Sequence, residues 1–111
     1  MRNWVATLLV LAVFLMPIFA KGQTSPALTL KTHIPLTKVE GRMDHLGVDV
    51  KGQRLFATAF TNKTLEVSDL KTGKQVHTIT GLDQPQGAYY NPATNWLFVA
   101  SEGDGTAKVF D

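Results

Sequence analysis

Apolar and polar residues alternate along most of this chain. Leu28, Leu30, Thr32, Ile34 and Leu36 are interleaved with Thr29, Lys31 and His33 at a period of two, which predicts a strand over 28–36. Leu46, Val48 and Val50 alternate with Gly47 and Asp49 in the same way. Arg54 to Phe60 is a more continuous apolar run, as in a strand covered on both faces. Thr64 to Leu70 alternates again, and Gln75 to Thr80 is rich in β-branched residues. Gly87 to Tyr90, Trp96 to Ser101 and Thr106 to Phe110 complete the set. No window of helical length shows a 3.6-residue period after the first two dozen residues.

The breaks between these runs carry turn residues. Lys51-Gly52, Asn62-Lys63, Thr72-Gly73, Asn91-Pro92 and Asp104-Gly105 each sit between two apolar segments. Asp104-Gly105 suits the positive φ of a tight hairpin, and Asn91-Pro92 favours turn initiation. Short strands joined by short turns predict an antiparallel meander rather than strand–helix–strand units.

Residues 1–22 break the pattern. Arg2 precedes an apolar run from Trp4 to Phe19, interrupted only by Thr7 and Pro17, and Ala20 and Gly22 then offer a small-residue cleavage site. This is the layout of a signal-peptide helix, followed by a short linker over 23–27. A membrane anchor wants about 20 apolar residues, more than this run supplies. The expected location is therefore periplasmic or secreted, with no membrane span after cleavage, and the chain has no cysteine to take a lipid. The absence of cysteine also excludes a disulfide framework, a thiolate metal site and a cysteine nucleophile. The formal charge of +2 falls to zero without Arg2 and Lys21, leaving nine basic and nine acidic residues and no basic block. Nucleic acid is accordingly not an expected partner.

The strands repeat. Leu55-Phe56-Ala57-Thr58-Ala59 superimposes on Leu97-Phe98-Val99-Ala100-Ser101 at an offset of 42 (97 − 55), and the same offset carries Thr64, Val67 and Asp69 onto Thr106, Val109 and Asp111. Upstream, Gly47 matches Gly87 at an offset of 40 (87 − 47), which implies that the Asn91–Asn95 turn is two residues longer than its counterpart. A four-stranded unit of about 42 residues has the length of a propeller blade.

The stretch from Gly41 to Asp111 resembles the YVTN-type β-propeller repeat proteins of bacteria. Pro85, Gly87, Leu97 to Ala100, Gly103 to Gly105, Val109 and Asp111 match that family's pattern in one unit, and Leu55, Phe56, Thr64, Val67, Asp69, Thr72, Gly73 and Lys74 match it in the other. Phe60 and the pair Tyr89-Tyr90 depart from it by being bulkier. The resemblance implies an all-β fold over 28–111: a strand at 28–36, a complete blade over 46–80 and an incomplete blade over 86–111. A ring of about seven blades needs roughly 300 residues, so the chain is expected to be an N-terminal fragment of a larger propeller. A short protomer that builds a ring from several copies is the alternative.

The candidate ligand-binding residues are Arg42, Asp44 and His45, in the segment entering the first blade, with Gln84 and Gln86 in the corresponding segment of the next. Such loops surround the channel mouth of a propeller. An Asp beside a His can orient an imidazole for base chemistry or metal ligation. Neighbours on a regular strand point to opposite faces, however, so the pair need not cooperate. The plainer role for Asp44 and His45 is to make turn or inter-blade hydrogen bonds, while Gln84 and Gln86 are placed to line the same rim as polar contacts. His33 and His77 fall on outer strands and are expected to be exposed. Asp69 and Asp111 suit turn caps, and Trp96, Tyr89 and Tyr90 suit packing between blades. Glu102 and Asp104, with Gly103 and Gly105, read as a hairpin rather than a calcium loop, and no motif marks a metal or cofactor.

These readings predict an exported scaffold that binds a small molecule or a protein at the channel mouth. The alternative is part of a propeller enzyme, such as a lactonase or a quinoprotein-type dehydrogenase. A fold of this kind hosts many activities, so the resemblance bears on architecture more than on function.

Overall fold

A computed structural model describes Gly22 and residues 25–111. The leader expected over 1–22 lies outside these residues except for Gly22. The described residues form an all-β structure of seven strands in two antiparallel sheets, with no helix. Unit one contains β1 (Met43–Asp49), β2 (Arg54–Ala59), β3 (Thr64–Asp69) and β4 (Lys74–Ile79), in that spatial order. Unit two contains β5 (Pro85–Asn91), β6 (Trp96–Ser101) and β7 (Thr106–Phe110).

Local chemistry accounts for the turns. Asp49 accepts a hydrogen bond from the Gly52 amide at 2.8 Å and another from Arg54 Nε at 3.0 Å, closing the β1–β2 turn. Asp69 accepts from the amides of Lys71 and Thr72 and so caps the β3–β4 turn, as its position predicts. Asp104 accepts from Thr106 and from Lys108 Nζ in the β6–β7 hairpin.

The two units share one register. Met43 pairs with Ala59 and Asp49 with Arg54; Pro85 pairs with Ser101 and Asn91 with Trp96. Every one of these positions recurs after 42 residues (85 − 43, 101 − 59, 91 − 49, 96 − 54). Turn geometry follows, with left-handed φ at Gln53 and Asn95 and again at Lys63 and Gly105. The offset of 40 inferred from Gly47 and Gly87 is therefore wrong, and the two turns are equal in length. Gly47 corresponds to Tyr89. Gly47 is small because β1 approaches β5 closely: a Cβ there would lie 2.7 Å from the carbonyl oxygen of Ala88. Gly87 meets no such demand, since its nearest neighbour would be Ala100 Cβ at 3.9 Å.

The core lies between the sheets. Phe56, Leu65 and Val67 share one face of unit one, and they cluster with Leu97 and Val99 of unit two and with Leu82 from the connection. Ala88, Tyr90, Phe110 and Ile79 pack around this cluster. Phe56 and Tyr90 stack with centroids 5.8 Å apart. Fully burying an aliphatic or aromatic side chain contributes roughly 1.5–3 kcal/mol, so this seam is the main source of cohesion between the units.

Two expectations fail here. Residues 28–36 form no strand; Leu28 and Leu30 are exposed. An alternating pattern makes a strand only where a neighbour offers a free edge, and these residues pair with none among those described. Tyr89 and Trp96 do not pack between units, being 61% and 45% exposed on the far face of unit two, although Tyr90 does.

Candidate functional site

The entry to β1 is built by Gly41. Its φ of 78° lies in the left-handed region, and a Cβ would fall 2.7 Å from Thr61 Cβ, so glycine alone fits the bend. The bend leads Arg42 back beside the β2–β3 turn, where its amide donates to Thr61 Oγ1 at 3.0 Å. The Arg42 guanidinium lies over the Phe60 ring, 3.9 Å from its centroid, and reaches Asp44 Oδ2 at 2.5 Å. That stacked, ion-paired geometry holds a long side chain in one orientation.

Asp44 and His45 belong to β1 itself rather than to the loop before it. Met43 pairs with Ala59 and Leu46 with Ala57, so both Asp44 and His45 stand opposite Thr58. This is a β-bulge, and it cancels the alternation that would send neighbouring side chains to opposite faces. Asp44 Oδ1 consequently lies 2.7 Å from His45 Nδ1. The expectation that the two side chains need not cooperate is overturned by that extra residue.

Unit two carries a bulge at the same place. Pro85 pairs with Ser101 and Gly87 with Ala100, leaving Gln86 as the additional residue. The Gln86 carbonyl is thereby turned toward unit one, 3.1 Å from His45 Nδ1. Thr58, fully buried, places its hydroxyl 2.9 Å from the His45 carbonyl and 3.2 Å from that of Gln86. The Gln86 side-chain amide donates to the Glu102 carboxylate. Gln84 takes part through its backbone: its carbonyl accepts from the Glu102 amide at 3.0 Å, and its φ is 49°. Nearby, Lys63 Nζ pairs with Asp83 Oδ1 at 2.9 Å, an ion pair between the β2–β3 turn and the connection that leads into unit two.

The structure thus links Arg42, Asp44, His45 and Gln86 in one polar chain across the seam, extended by Glu102, with Gln84 adjoining it. Arg42 and Gln84 are separated by 42 residues, as are Asp44 and Gln86, so the chain uses equivalent positions of consecutive units. Phe60, Thr58 and Glu102 are members that sequence reasoning missed. The 42-residue register held the signal: Glu102 is the counterpart of Phe60, which already flanks Arg42.

The electrostatics keep Asp44 ionised. The hydrogen bond from Arg42 lowers its carboxyl below the ordinary carboxylate value, and the charges of Arg42 and His45 act in the same direction. Both groups facing His45 Nδ1 are acceptors, so that nitrogen carries the hydrogen. In the neutral ring Nε2 is then left with its lone pair on a side chain 78% exposed. An imidazole oriented in this way can accept a hydrogen bond, take a proton or supply one metal ligand. No group of three or more metal-ligating side chains occurs among the described residues.

His33 and His77 are exposed, as expected, and neither joins this cluster. A groove of about 670 Å³ between the outer parts of the sheets is lined mainly by apolar residues, including Phe56, Val76, Ile79 and Phe110. It shares no residue with the polar chain. No family model, no curated protein and no solved structure matches the chain.

Proposed function

We propose that the chain is an exported β-propeller-type repeat protein, of the kind its YVTN-like motifs resemble, and that it binds a ligand or partner through the rim formed by Arg42, Asp44, His45, Gln84 and Gln86. The repeat reading is supported by two sheets with one register, stacked face to face with their first strands adjacent. Successive blades sit around an axis in that manner. Export is supported by the apolar leader.

The observation that carries the binding reading is His45, whose Nδ1 is held between Asp44 and the Gln86 carbonyl while most of the ring is open to solvent. Nε2 accepts a hydrogen bond, the Arg42 guanidinium, about half exposed, donates, and the Glu102 carboxylate accepts. That set suits a small molecule with hydroxyl donors and a carboxylate or carbonyl acceptor, or a protein loop presenting the same groups.

A thermal-shift panel of hydroxy acids, sugars and short peptides tests the reading. A compound that stabilises the protein should bind at least tenfold more weakly to His45→Ala and equally well to His77→Ala. Stabilising compounds whose affinity is indifferent to His45→Ala and Arg42→Ala would remove the rim as the site.

A further inference from the structure

Strand β3 has two unlike faces. Leu65 and Val67 belong to the seam, so Thr64 and Glu66 lie on the other side of the sheet. Glu66 is 1% exposed there, an uncommon position for a carboxylate. It accepts hydrogen bonds from Thr64 Oγ1 and Thr78 Oγ1, each at 2.6 Å, and from the Gln75 side-chain amide. All three donors are neutral, and Glu66 forms no ion pair among the described residues. A buried charge without a counter-charge is costly, which makes this carboxylate a strong acceptor for a cationic group.

The segment that precedes β1 is pinned to the same side. Gln75 Oε1 accepts from the Thr37 amide at 2.8 Å and from its hydroxyl at 3.2 Å, while Gln75 Nε2 serves Glu66 and Thr78. Asn62 Nδ2 donates to the Lys38 carbonyl at 3.0 Å. Lys38 holds a φ of 60°, in the left-handed region that residues with a Cβ seldom occupy. Between this segment and the sheet is a pocket of about 430 Å³, lined by Thr37, Lys38, Asn62, Glu66, Gln75 and Thr78. None of these residues belongs to the polar rim.

All six lining residues are polar, so an apolar molecule finds no wall to bury against. Two of them carry opposite charges, and Lys38, like Glu66, forms no ion pair among the described residues. A simple amine would be repelled by Lys38, and a simple carboxylate by Glu66. We propose that the pocket binds a small amino carboxylate, its ammonium on the Glu66 carboxylate and its carboxylate on the Lys38 ammonium. A molecule that carries both charges gives each protein charge a partner and leaves the site neutral. Thr37, Thr78 and Asn62 supply hydroxyl and amide groups for the remaining polar contacts. The pocket lies on the side of unit one turned away from the seam, so the proposal stands whether or not the rim at His45 binds a ligand.

An NMR titration of the full chain, labelled with nitrogen-15, tests the proposal. The probes are glycine, β-alanine and γ-aminobutyrate, amino carboxylates of increasing length. At least one should bind at millimolar concentration, with saturable shifts of the Thr37, Lys38 and Gln75 amide signals. Methylamine and acetate, which carry one charge each, should bind at least tenfold more weakly. Lys38→Met and Glu66→Gln should each weaken binding at least tenfold, and His45→Ala should leave it unchanged. Should Glu66→Gln lose its β-sheet circular dichroism, Lys38→Met, a change at an exposed residue, decides the matter alone. The absence of saturable shifts with all three amino carboxylates overturns the proposal. So does methylamine or acetate binding as tightly as the best of them, and so does an affinity indifferent to Lys38→Met.

Discussion

His45 Nδ1 lies 3.1 Å from the carbonyl oxygen of Gln86, so an exposed ring on one sheet is anchored to the backbone of the other. The contact exists because each first strand carries a bulge at the same register position. One bulge brings His45 beside Asp44, and the other turns the Gln86 carbonyl toward it. The seam that supplies the core therefore also shapes the polar rim.

Thr58 is the buried brace beneath that contact. Its hydroxyl serves the carbonyls of both His45 and Gln86. Thr58→Val keeps the shape and removes the donor, and should lower stability by about 1 kcal/mol in urea unfolding. Thr58→Ser, which keeps the donor, should leave less of a polar deficit. Equal losses for the two variants would mean that packing, not the hydroxyl, matters at this position.

Gly47 and Gly87 give a paired test of the register. Alanine at 47 would put a methyl 2.7 Å from a backbone oxygen, whereas at 87 it would meet its nearest neighbour at 3.9 Å. Gly47→Ala should destabilise by about 1–3 kcal/mol through overpacking, and Gly87→Ala should cost clearly less. Similar denaturation midpoints for the two would contradict the close approach of β1 and β5.

Leu65 is fully buried at the centre of the seam. Leu65→Ala should cost about 2–5 kcal/mol, the range for a large-to-small change that leaves a cavity. A midpoint that does not move would show that the sheets are not packed through this face.

Acid sensitivity should include a contribution from the β6–β7 hairpin. Hydrogen bonds from Lys108 and Thr106 lower the Asp104 carboxyl from 3.8 to about 2. A folded-state value below the unfolded one stabilises the fold above the unfolded value, and that stabilisation is lost as pH falls from about 4 to about 2. Asp104→Asn should flatten this part of the pH–stability curve, and Lys108→Met should do so in part. Curves that keep the wild-type slope would remove the hairpin from the acid response.

The strands with strong local signals were legible. Arg54 to Phe60 and Thr64 to Leu70 lie within one residue of β2 and β3, because an apolar run in the first and an alternating one in the second end at turn residues. Residues 28–36 misled, since alternation describes a strand's faces but not whether an edge is free to receive it. Gly47 and Gly87 misled in another way: identical residues occupy non-equivalent places, one set by a close backbone approach and the other not. The candidate residues were found from their types and their place at a unit's entry. Their cooperation was hidden, because a period of two has no room for the extra residue that brings Asp44 and His45 together. Glu102 was read only as part of a turn, and its contact with Gln86 follows from the fold.

The orientation of the His45 ring is the most direct test of the site, because the binding role rests on an unprotonated Nε2. Nitrogen-15 NMR of histidine-labelled protein, taken where the ring is neutral, distinguishes the two tautomers. The account predicts that His45 carries its hydrogen on Nδ1 and that Asp44→Asn weakens this preference, while His33 and His77 stay unaffected. A neutral His45 with its hydrogen on Nε2 would contradict the arrangement of Asp44, His45 and Gln86 from which the rim is built.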